Sequence, residues 1–238
     1  MFSRKISKLK DKTDLVVLPE MFSTGFTMNA SAMAEPVNGD SVEWMRQTAA
    51  MNNCVVTGSL IISENKKFYN RLIWMKPDGR FLQYDKRHLF RLAHEEQTYS
   101  PGKQKLIVEL NGWKIFPLVC FDLRFPVWSR RTKDSDYDVV LYVANWPERR
   151  VTAWSQLLIA RAIENQCYVV GVNRVGNDGN TIYHSGESAV INYKGEEISG
   201  ISAHEEVIET IELHKEEMEI FRTQLPFLEE ADSFTIKL

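Results

Sequence analysis

The sequence predicts an α/β fold that contains a mixed β-sheet, and three stretches of the chain lead to this prediction. The run "DLVVLPE" (14–20) is typical of a fully buried strand, and "SVEWMRQTAAMNN" (41–53) follows it with apolar residues at helical spacing. The next segment, 55–86, holds three β-rich runs separated by turn residues, as in an antiparallel meander. Because a strand followed by a helix favours parallel pairing and a meander requires antiparallel pairing, we expect a mixed sheet.

Length and composition indicate one soluble globular domain, which we assign to residues 1–238. The chain has 238 residues, 44% of them hydrophobic, and shows neither internal repeats nor a low-complexity linker.

Its net charge of -3 gives no electrostatic case for binding nucleic acid or an anionic membrane. The first apolar run, Leu15–Leu18, is far too short for a signal sequence, and no run reaches membrane-spanning length. We therefore expect a cytoplasmic protein whose partners are small molecules or other proteins.

The cysteines indicate neither a disulfide framework nor a metal site. Cys54, Cys120 and Cys167 form an odd set without a CxxC pair. No His or Cys pair has the spacing of zinc ligands either. We therefore expect no metal and no cofactor.

The remaining elements follow from apolar periodicity and turn chemistry. The helix in 41–53 is expected to have Asp40 or Ser41 as its N-cap. The segment 87–102 has no regular period and indicates a long, functional excursion between strands. Asn-Gly at 111–112 predicts a tight hairpin whose return strand ends at Cys120. Further on, the pattern predicts a buried strand in 138–147, an amphipathic helix in 152–166, a buried strand in 167–176 and a partly exposed helix and tail from His214.

Several of these buried strands end in polar residues, among them Glu20, Cys120, Asn145 and Asn173. In α/β folds, the carboxyl ends of strands are where binding and catalytic sites are built. We therefore expect a site at these strand ends.

Cys120 is the strand-end residue that most needs an explanation. On position alone, an inert buried thiol is the better interpretation. A catalytic thiol needs a base or a neighbouring cation, and no signature places any of the five histidines beside it, so a Cys-His hydrolase stays open without support. Glu20 and Lys86 each close an apolar run. Either could be a solvated surface charge, but their joint occurrence with Cys120 favours a catalytic site.

Three blocks of the sequence resemble the catalytic blocks of the nitrilase superfamily of carbon-nitrogen hydrolases. They are "LVVLPEMFSTGF" (15–26), "YDKRHLF" (84–90) and "LVCFDLRFPVW" (118–128), and the resemblance extends from about residue 14 to 198. It implies a triad of Glu20, Lys86 and Cys120, supported by a second glutamate that is Glu95 or its neighbour Glu96. It also implies an α-β-β-α sandwich of two mixed β-sheets flanked by helices, and pairing of protomers into a homodimer.

One departure from this resemblance concerns the N-terminus. Relatives begin with a strand and much of a helix before the first block, whereas here only "MFSRKISKLKDK" precedes it. We therefore expect an N-terminally short domain that lacks the usual first strand, or a start codon that was assigned too late. Losing a central strand would expose strand edges and apolar surface.

Within the superfamily, "PEMFSTGF", "CFDLRFPVWSR" and "VANWP" are most similar to the omega-amidases, which hydrolyse the side-chain amide of 2-oxoglutaramate and 2-oxosuccinamate. We expect the backbone N–H of Phe121 to stabilise the oxyanion. Arg124 is the first candidate for binding the substrate carboxylate and Arg174 the second, while Trp146 is a candidate pocket residue. An ion pair of Arg124 with Asp122 or another carboxylate is the structural alternative.

Two other functions stay open at this point. The chain could be another hydrolase of the superfamily, namely a nitrilase, an N-carbamoyl hydrolase or an aliphatic amidase. It could also be a non-catalytic interaction protein on the same scaffold.

Overall fold

The computed structural model describes residues 2–9 and 13–237, which form two mixed β-sheets packed face to face with helices on their outer faces. The predicted α-β-β-α sandwich is therefore confirmed. The strands are β1 Leu15–Val17, β2 Glu35–Pro36, β3 Val55–Glu64, β4 Lys67–Met75, β5 Phe81–Asp85, β6 Val108–Leu110, β7 Trp113–Val119, β8 Val139–Ala144, β9 Tyr168–Asn173, β10 Val175–Asn177, β11 Tyr183–Ser185 and β12 Ala189–Ile191. The helices are α1 Phe2–Ile6, α2 Ala30–Met33, α3 Asp40–Asn52, α4 Glu95–Thr98, α5 Pro126–Ser129, α6 Val151–Asn165 and α7 Lys215–Gln224.

The first sheet has the strand order β1-β3-β4-β5, with the short β2 also paired to β3. β1 runs parallel to β3, with Leu15 opposite Val55, and β3, β4 and β5 are antiparallel neighbours. The predicted meander is thus confirmed. Its first turn needs left-handed backbone, which Asn65 and Lys66 adopt with φ values of 51° and 61°.

The second sheet has the order β12-β9-β8-β7-β6. β7, β8 and β9 are parallel, while β6 and β12 add antiparallel edges. The predicted hairpin between β6 and β7 turns at Asn111 and Gly112, whose φ values are 48° and 80°. Because β7 and β8 are parallel, the loops that carry Cys120 and Asn145 emerge at the same end of the sheet.

Alternating side chains divide the core into layers. On β4, Trp74 points between the sheets toward Ile115 and Leu141, whereas Ile73 points outward under α3. On the far side, α6 packs Trp154 and Leu158 against the second sheet. Each fully buried side chain of this size contributes roughly 1.5–3 kcal/mol to stability, so the two sheets form a rigid frame for the loops at their ends.

The prediction that Asp40 or Ser41 caps α3 is wrong. Gly39 occupies the N-cap position and Asp40 is already helical. The capping acceptor comes from β2, because the Glu35 carboxylate accepts the backbone N–H of Ser41 at 2.7 Å and its hydroxyl at 2.5 Å. The helix is therefore capped by Glu35, six residues before Ser41, and not by the side chain at its own N-cap position.

The C-terminal helix α7 lies against the second sheet. Its buried Met218 joins the core between the sheets, and Phe221 meets Tyr193 with ring centroids 5.0 Å apart. Arg222 anchors the helix by donating to Asp138 Oδ1 at 3.0 Å. The predicted partly exposed helix is confirmed.

Within the described residues, none of the helices combines the length and the apolar character needed to cross a membrane.

Candidate active site

Cys120 lies at the sharp turn where β7 ends and a 3₁₀ turn, Cys120–Arg124, begins. Its backbone has a φ of 44°, which is unfavourable for a residue with a Cβ atom and is typical of functional turns. The residue is only 9% exposed. The turn therefore holds the thiol in one orientation at the end of a buried strand.

Glu20 lies just beyond β1 at a second turn of the same kind, since Met21 after it has a φ of 44°. The Met21 backbone N–H donates to Ser59 Oγ at 2.9 Å, which fixes this turn to β3. The carboxylate of Glu20 is 1% exposed and accepts the backbone N–H of Asn145 at 2.9 Å and the side-chain amide of Asn70 at 2.7 Å. Both sheets thus position Glu20.

Lys86 directly follows β5 and carries a buried ammonium between two carboxylates. Its Nζ lies 3.0 Å from Glu20 Oε1 and 2.9 Å from Glu95 Oε2. Glu95 comes from α4 in the excursion between β5 and β6, and its Oε2 also accepts the backbone N–H of Phe90 at 2.6 Å. Glu96 is exposed, so Glu95 is the glutamate that contacts the lysine.

The charges in this cluster keep Lys86 protonated. Burial by itself lowers the pKa of a lysine, but the Glu20 and Glu95 carboxylates outweigh it and raise the pKa of Lys86 above its ordinary value. Burial raises the pKa of Glu95, which the Lys86 ammonium opposes. The lysine is therefore a permanent cation in the working pH range and cannot serve as a base.

The thiol of Cys120 feels the same charges. Burial raises its pKa well above the ordinary value, the Glu20 carboxylate raises it further, and the Lys86 ammonium acts in the opposite direction. A thiol with a raised pKa is protonated at neutral pH. A nucleophilic reaction at this sulfur therefore needs a base that removes the proton during attack, and Glu20 is the neighbouring carboxylate.

A second polar network supports the turn at Cys120. Asp122 is fully buried and accepts hydrogen bonds from Tyr84 Oη at 2.8 Å, the His88 backbone N–H at 2.9 Å and the Val119 backbone N–H at 3.2 Å. The His88 ring lies 2.7 Å from Asp122 through Nδ1 and stacks on Phe125 with centroids 3.7 Å apart. Asp122 thereby ties the loop after Lys86 to the loop that carries Cys120.

This network overturns the structural alternative for Arg124. Asp122 bonds to Tyr84 and His88, and Arg124 has no carboxylate within 4.0 Å among the described residues. Instead, Arg124 is exposed and its Cζ lies 5.0 Å from the ring centroid of Trp146. Trp146 is only 3% exposed and donates its indole N–H to the Arg150 carbonyl at 2.8 Å.

The second candidate, Arg174, lies on a different side of Glu20. Its guanidinium donates to the Asn177 carbonyl at 2.9 Å and lies beside Gly25. It lines a cavity of about 480 Å³ along β1 that Glu20 also lines, whereas Cys120 and Lys86 do not. Arg174 is therefore the weaker candidate for a substrate contact.

Two further site residues, Asn70 and Arg150, are not among the sequence-based candidates, and Phe26 was considered only as one of several aromatic residues that could line the pocket. Asn70 bridges Glu20 and Glu95, with its Nδ2 at 2.7 Å and 3.3 Å from their Oε1 atoms. Phe26 covers the lysine, with the Lys86 Nζ 5.4 Å from its ring centroid. Arg150 lies over Phe90. The available signal for Asn70 was a polar residue inside the apolar run of β4, whereas Arg150 carries none.

In the part of the chain that the structure describes, no group of three or more His, Cys, Asp or Glu side chains is arranged to hold a metal ion. The ionisable cluster consists of two carboxyl groups, one ammonium and one thiol. Such a set can exchange protons, stabilise an oxyanion and form a thioester.

This fold defines a hydrolase of the carbon-nitrogen hydrolase type. The sequence profile of the carbon-nitrogen hydrolase family matches residues 2–222, and the chain belongs to that family. It therefore acts on carbon-nitrogen bonds.

Three relatives illustrate the similarity. The chain is 45% identical over 235 residues to omega-amidase YafV of Escherichia coli strain K12, covering 99% of this chain and 90% of that protein. It is 32% identical over 228 residues to the 2-oxoglutaramate amidase of Bacillus subtilis strain 168, covering 94% and 87% of the two chains. The crystal structure of XC1258 from Xanthomonas campestris, a CN-hydrolase superfamily protein with an arsenic adduct in its active site, matches with a TM-score of 0.96 and 41% identity over 99% of this chain and 91% of that one.

Proposed function

We propose that the protein is an omega-amidase that hydrolyses the side-chain amide of 2-oxoglutaramate and 2-oxosuccinamate to the 2-oxo dicarboxylate and ammonia. The observation that carries this proposal is the buried cluster in which Lys86 bridges Glu20 and Glu95 while its charge and that of Glu20 act on the Cys120 thiol. The amidase names of the relatives from E. coli and B. subtilis support the choice of substrate.

In the first half of the reaction, Glu20 takes the proton of the Cys120 thiol as the sulfur attacks the amide carbon. A carbon-sulfur bond forms, and the carbonyl oxygen becomes an oxyanion. The Lys86 ammonium and the Phe121 backbone N–H stabilise that charge. The carbon-nitrogen bond then breaks as Glu20 returns the proton to the nitrogen, and ammonia leaves a thioester behind.

In the second half, a water molecule attacks the thioester carbon while Glu20 takes one of its protons. The carbon-sulfur bond breaks, the sulfur regains a proton from Glu20, and the acid product is released. The raised pKa of Cys120 fits this order of events, because the resting thiol keeps its proton until substrate is in place.

Glu95 has a positioning role in this scheme. Its carboxylate contacts Lys86 at 2.9 Å but faces the backbone of Phe90 on its other side. It fixes where the ammonium lies and keeps it charged, so that the oxyanion forms opposite a cation that is already in place.

Two further expectations belong to this proposal. The superfamily resemblance leads us to propose a homodimer, which sedimentation velocity can test. We also propose that the enzyme works in the cytoplasm, where free thiols such as Cys120 stay reduced.

The test is ammonia release from 2-oxoglutaramate and 2-oxosuccinamate by the purified chain, in parallel with Cys120→Ala. Turnover by the parent and none by the variant supports the amidase and its nucleophile together. A parent that hydrolyses only nitriles, N-carbamoyl compounds or simple aliphatic amides would move the enzyme to another branch. Equal ammonia release by both proteins would exclude Cys120 as the nucleophile.

A further inference from the structure

Two arginine side chains lie on aromatic rings around the nucleophile turn. Arg124 ends the 3₁₀ turn that Cys120 begins, and its guanidinium carbon lies 5.0 Å from the centroid of the Trp146 ring. Arg150 ends the 3₁₀ turn after β8, and its guanidinium carbon lies 5.0 Å from the centroid of the Phe90 ring. Stacking on a ring holds a guanidinium in place while leaving its N–H groups free to donate.

Both rings belong to the candidate active site. Phe90 bonds through its backbone to the Glu95 carboxylate, and its ring lies 5.0 Å from that of Phe121, the residue after the nucleophile. Trp146 carries Arg124 on its face and donates its indole N–H to the backbone carbonyl of Arg150 at 2.8 Å. The two arginines are therefore part of one assembly that also holds Cys120.

Within the described residues, neither guanidinium forms an ion pair or a hydrogen bond. Among residues 2–9 and 13–237, no carboxylate lies within 4.0 Å of Arg124 or Arg150, and no protein acceptor hydrogen-bonds to either side chain. Four buried or half-buried arginines of the chain are instead paired with acids, namely Arg71 with Asp85, Arg131 with Asp136, Arg161 with Glu164 and Arg222 with Asp138. The N–H groups of Arg124 and Arg150 are thus available to a ligand.

The electrostatics of Arg150 agree with this position. Burial and the neighbouring cations Arg149 and Arg124 lower its pKa, whereas the Cys120 sulfur raises it. Arg150 is therefore close enough to Cys120 for the two groups to attract each other when the sulfur carries a negative charge. An anion placed between the guanidinium groups would relieve the repulsion between them.

The charge balance of the site indicates which kind of ligand this is. The buried cluster holds two carboxyl groups and one ammonium, Glu20, Glu95 and Lys86, so it does not attract an anionic substrate by itself. A substrate that carries a carboxylate at the end remote from its amide needs cations outside the cluster. Glu148, two residues before Arg150, does not neutralise that arginine, because it is exposed and lies 3.8 Å from His204 instead.

We propose that Arg150 acts together with Arg124 to bind the carboxylate of the 2-oxo acid, and that Arg150 determines the preference for amides with an anionic tail over neutral amides. This inference rests on the proposed function, since it names the residue that binds the substrate carboxylate remote from the amide. Guanidinium groups suit the task because they form paired hydrogen bonds with a planar carboxylate.

The test compares Arg150→Met with Arg149→Met, which removes the same charge from an exposed neighbouring position. For 2-oxoglutaramate, Arg150→Met should raise KM about 10-fold to 100-fold, the loss expected for a charged hydrogen-bonded pair, while kcat falls less. For butyramide, a neutral amide, kcat/KM should change less than about 3-fold. Arg149→Met should leave KM for 2-oxoglutaramate within about 3-fold of the parent.

Two additional measurements separate this claim from folding defects and from the proposed function. Arg150→Lys keeps the positive charge but loses the paired N–H donors of the guanidinium. Its KM for 2-oxoglutaramate should lie between those of the parent and Arg150→Met, and its thermal unfolding midpoint should be unchanged. Isothermal titration of Cys120→Ala with 2-oxoglutarate measures carboxylate binding without turnover, and adding Arg150→Met should weaken that binding about 10-fold or more.

A parent without activity on 2-oxo acid amides overturns the proposed function. Two results of the titration would overturn the role of Arg150 separately. The first is an affinity for 2-oxoglutarate that is the same in Cys120→Ala and in the double variant Cys120→Ala/Arg150→Met. The second is that Cys120→Ala itself shows no measurable binding of 2-oxoglutarate. Equal losses for 2-oxoglutaramate and butyramide would also overturn it.

Discussion

The ammonium of Lys86 lies 2.9 Å from Glu95 Oε2, and both side chains are almost fully buried. A buried ion pair contributes little net stability, because desolvation of the two charges offsets their attraction. Its presence beside a third ionisable side chain, Glu20, therefore indicates a function that needs a fixed cation. Four consequences of this arrangement and of the surrounding packing can be tested.

Removing the Glu95 carboxylate should weaken the hold on the lysine. In Glu95→Gln, kcat/KM should fall about 10-fold to 100-fold, as expected when a charged hydrogen bond is lost. Glu20 and Glu95 together raise the pKa of Lys86 against the effect of burial, so losing one of them lowers it. Lys86 should therefore lose its proton at a lower pH in the variant, and kcat/KM should fall at alkaline pH values at which the parent, whose Lys86 stays charged, is still active. The exposed neighbour offers a control, and Glu96→Gln should match the parent at every pH.

Glu20→Gln should have opposite effects on hydrolysis and on thiol acidity. Hydrolysis should be lost, because the base is gone. After burial, the Glu20 carboxylate is the next strongest influence that raises the pKa of Cys120, so the variant should have a more acidic thiol. The midpoint of the pH dependence of iodoacetamide inactivation, read by mass spectrometry at Cys120, should move to lower pH. A midpoint that stays in place or rises would show that Glu20 does not act on this sulfur.

Asn70→Leu keeps a similar side-chain volume but removes the amide that donates to Glu20 at 2.7 Å. The carboxylate then loses one of its fixed donors and gains freedom to rotate. We expect kcat to fall about 10-fold to 100-fold with little change in KM, because the amide bonds to Glu20 and Glu95 and thereby orients the base. Steady-state kinetics check this, and an unchanged kcat would remove Asn70 from the positioning network.

Asp138 should make stability depend on acid pH. Burial acts to raise its pKa, but hydrogen bonds from the Lys114 backbone and Lys215, together with the charge of Arg222, lower it overall. Its contribution is therefore present above the unfolded value of about 4 and is lost as pH falls through the lower folded pKa. Asp138→Asn should cost about 1–3 kcal/mol of unfolding free energy at pH 7 and progressively less in acid. Urea unfolding at several pH values measures this, and the exposed Asp134→Asn should show no such trend.

The fold was predictable where local chemistry decides it. Turn residues at Asn65 and Asn111 define the meander and the β6–β7 hairpin, and apolar runs define the buried strands. Glu20, Lys86 and Cys120 each follow an apolar run, but it was the resemblance of the surrounding blocks to the nitrilase superfamily that singled them out. The absence of the usual first strand stays a prediction.

Contacts between residues that are far apart in the chain could not be predicted from the sequence. The cap of α3 comes from Glu35 on β2, and the donor to Glu20 comes from Asn70, which is 50 residues away along the chain. Neighbouring Glu95 and Glu96 are indistinguishable by pattern, because only the path of the loop decides which one faces Lys86. Arg150 carried no signal, since its significance depends on Phe90, far away in sequence.

Intact-protein mass spectrometry of a quenched reaction with 2-oxoglutaramate shows whether the Cys120 sulfur bonds to the acyl group of the substrate. We expect a parent protein heavier by the mass of the substrate less ammonia, with the added mass mapped to the peptide that contains Cys120 and absent from Cys120→Ala. Hydrolysis by the parent with no added mass during rapid-quench sampling, or the same added mass on Cys120→Ala, would contradict it.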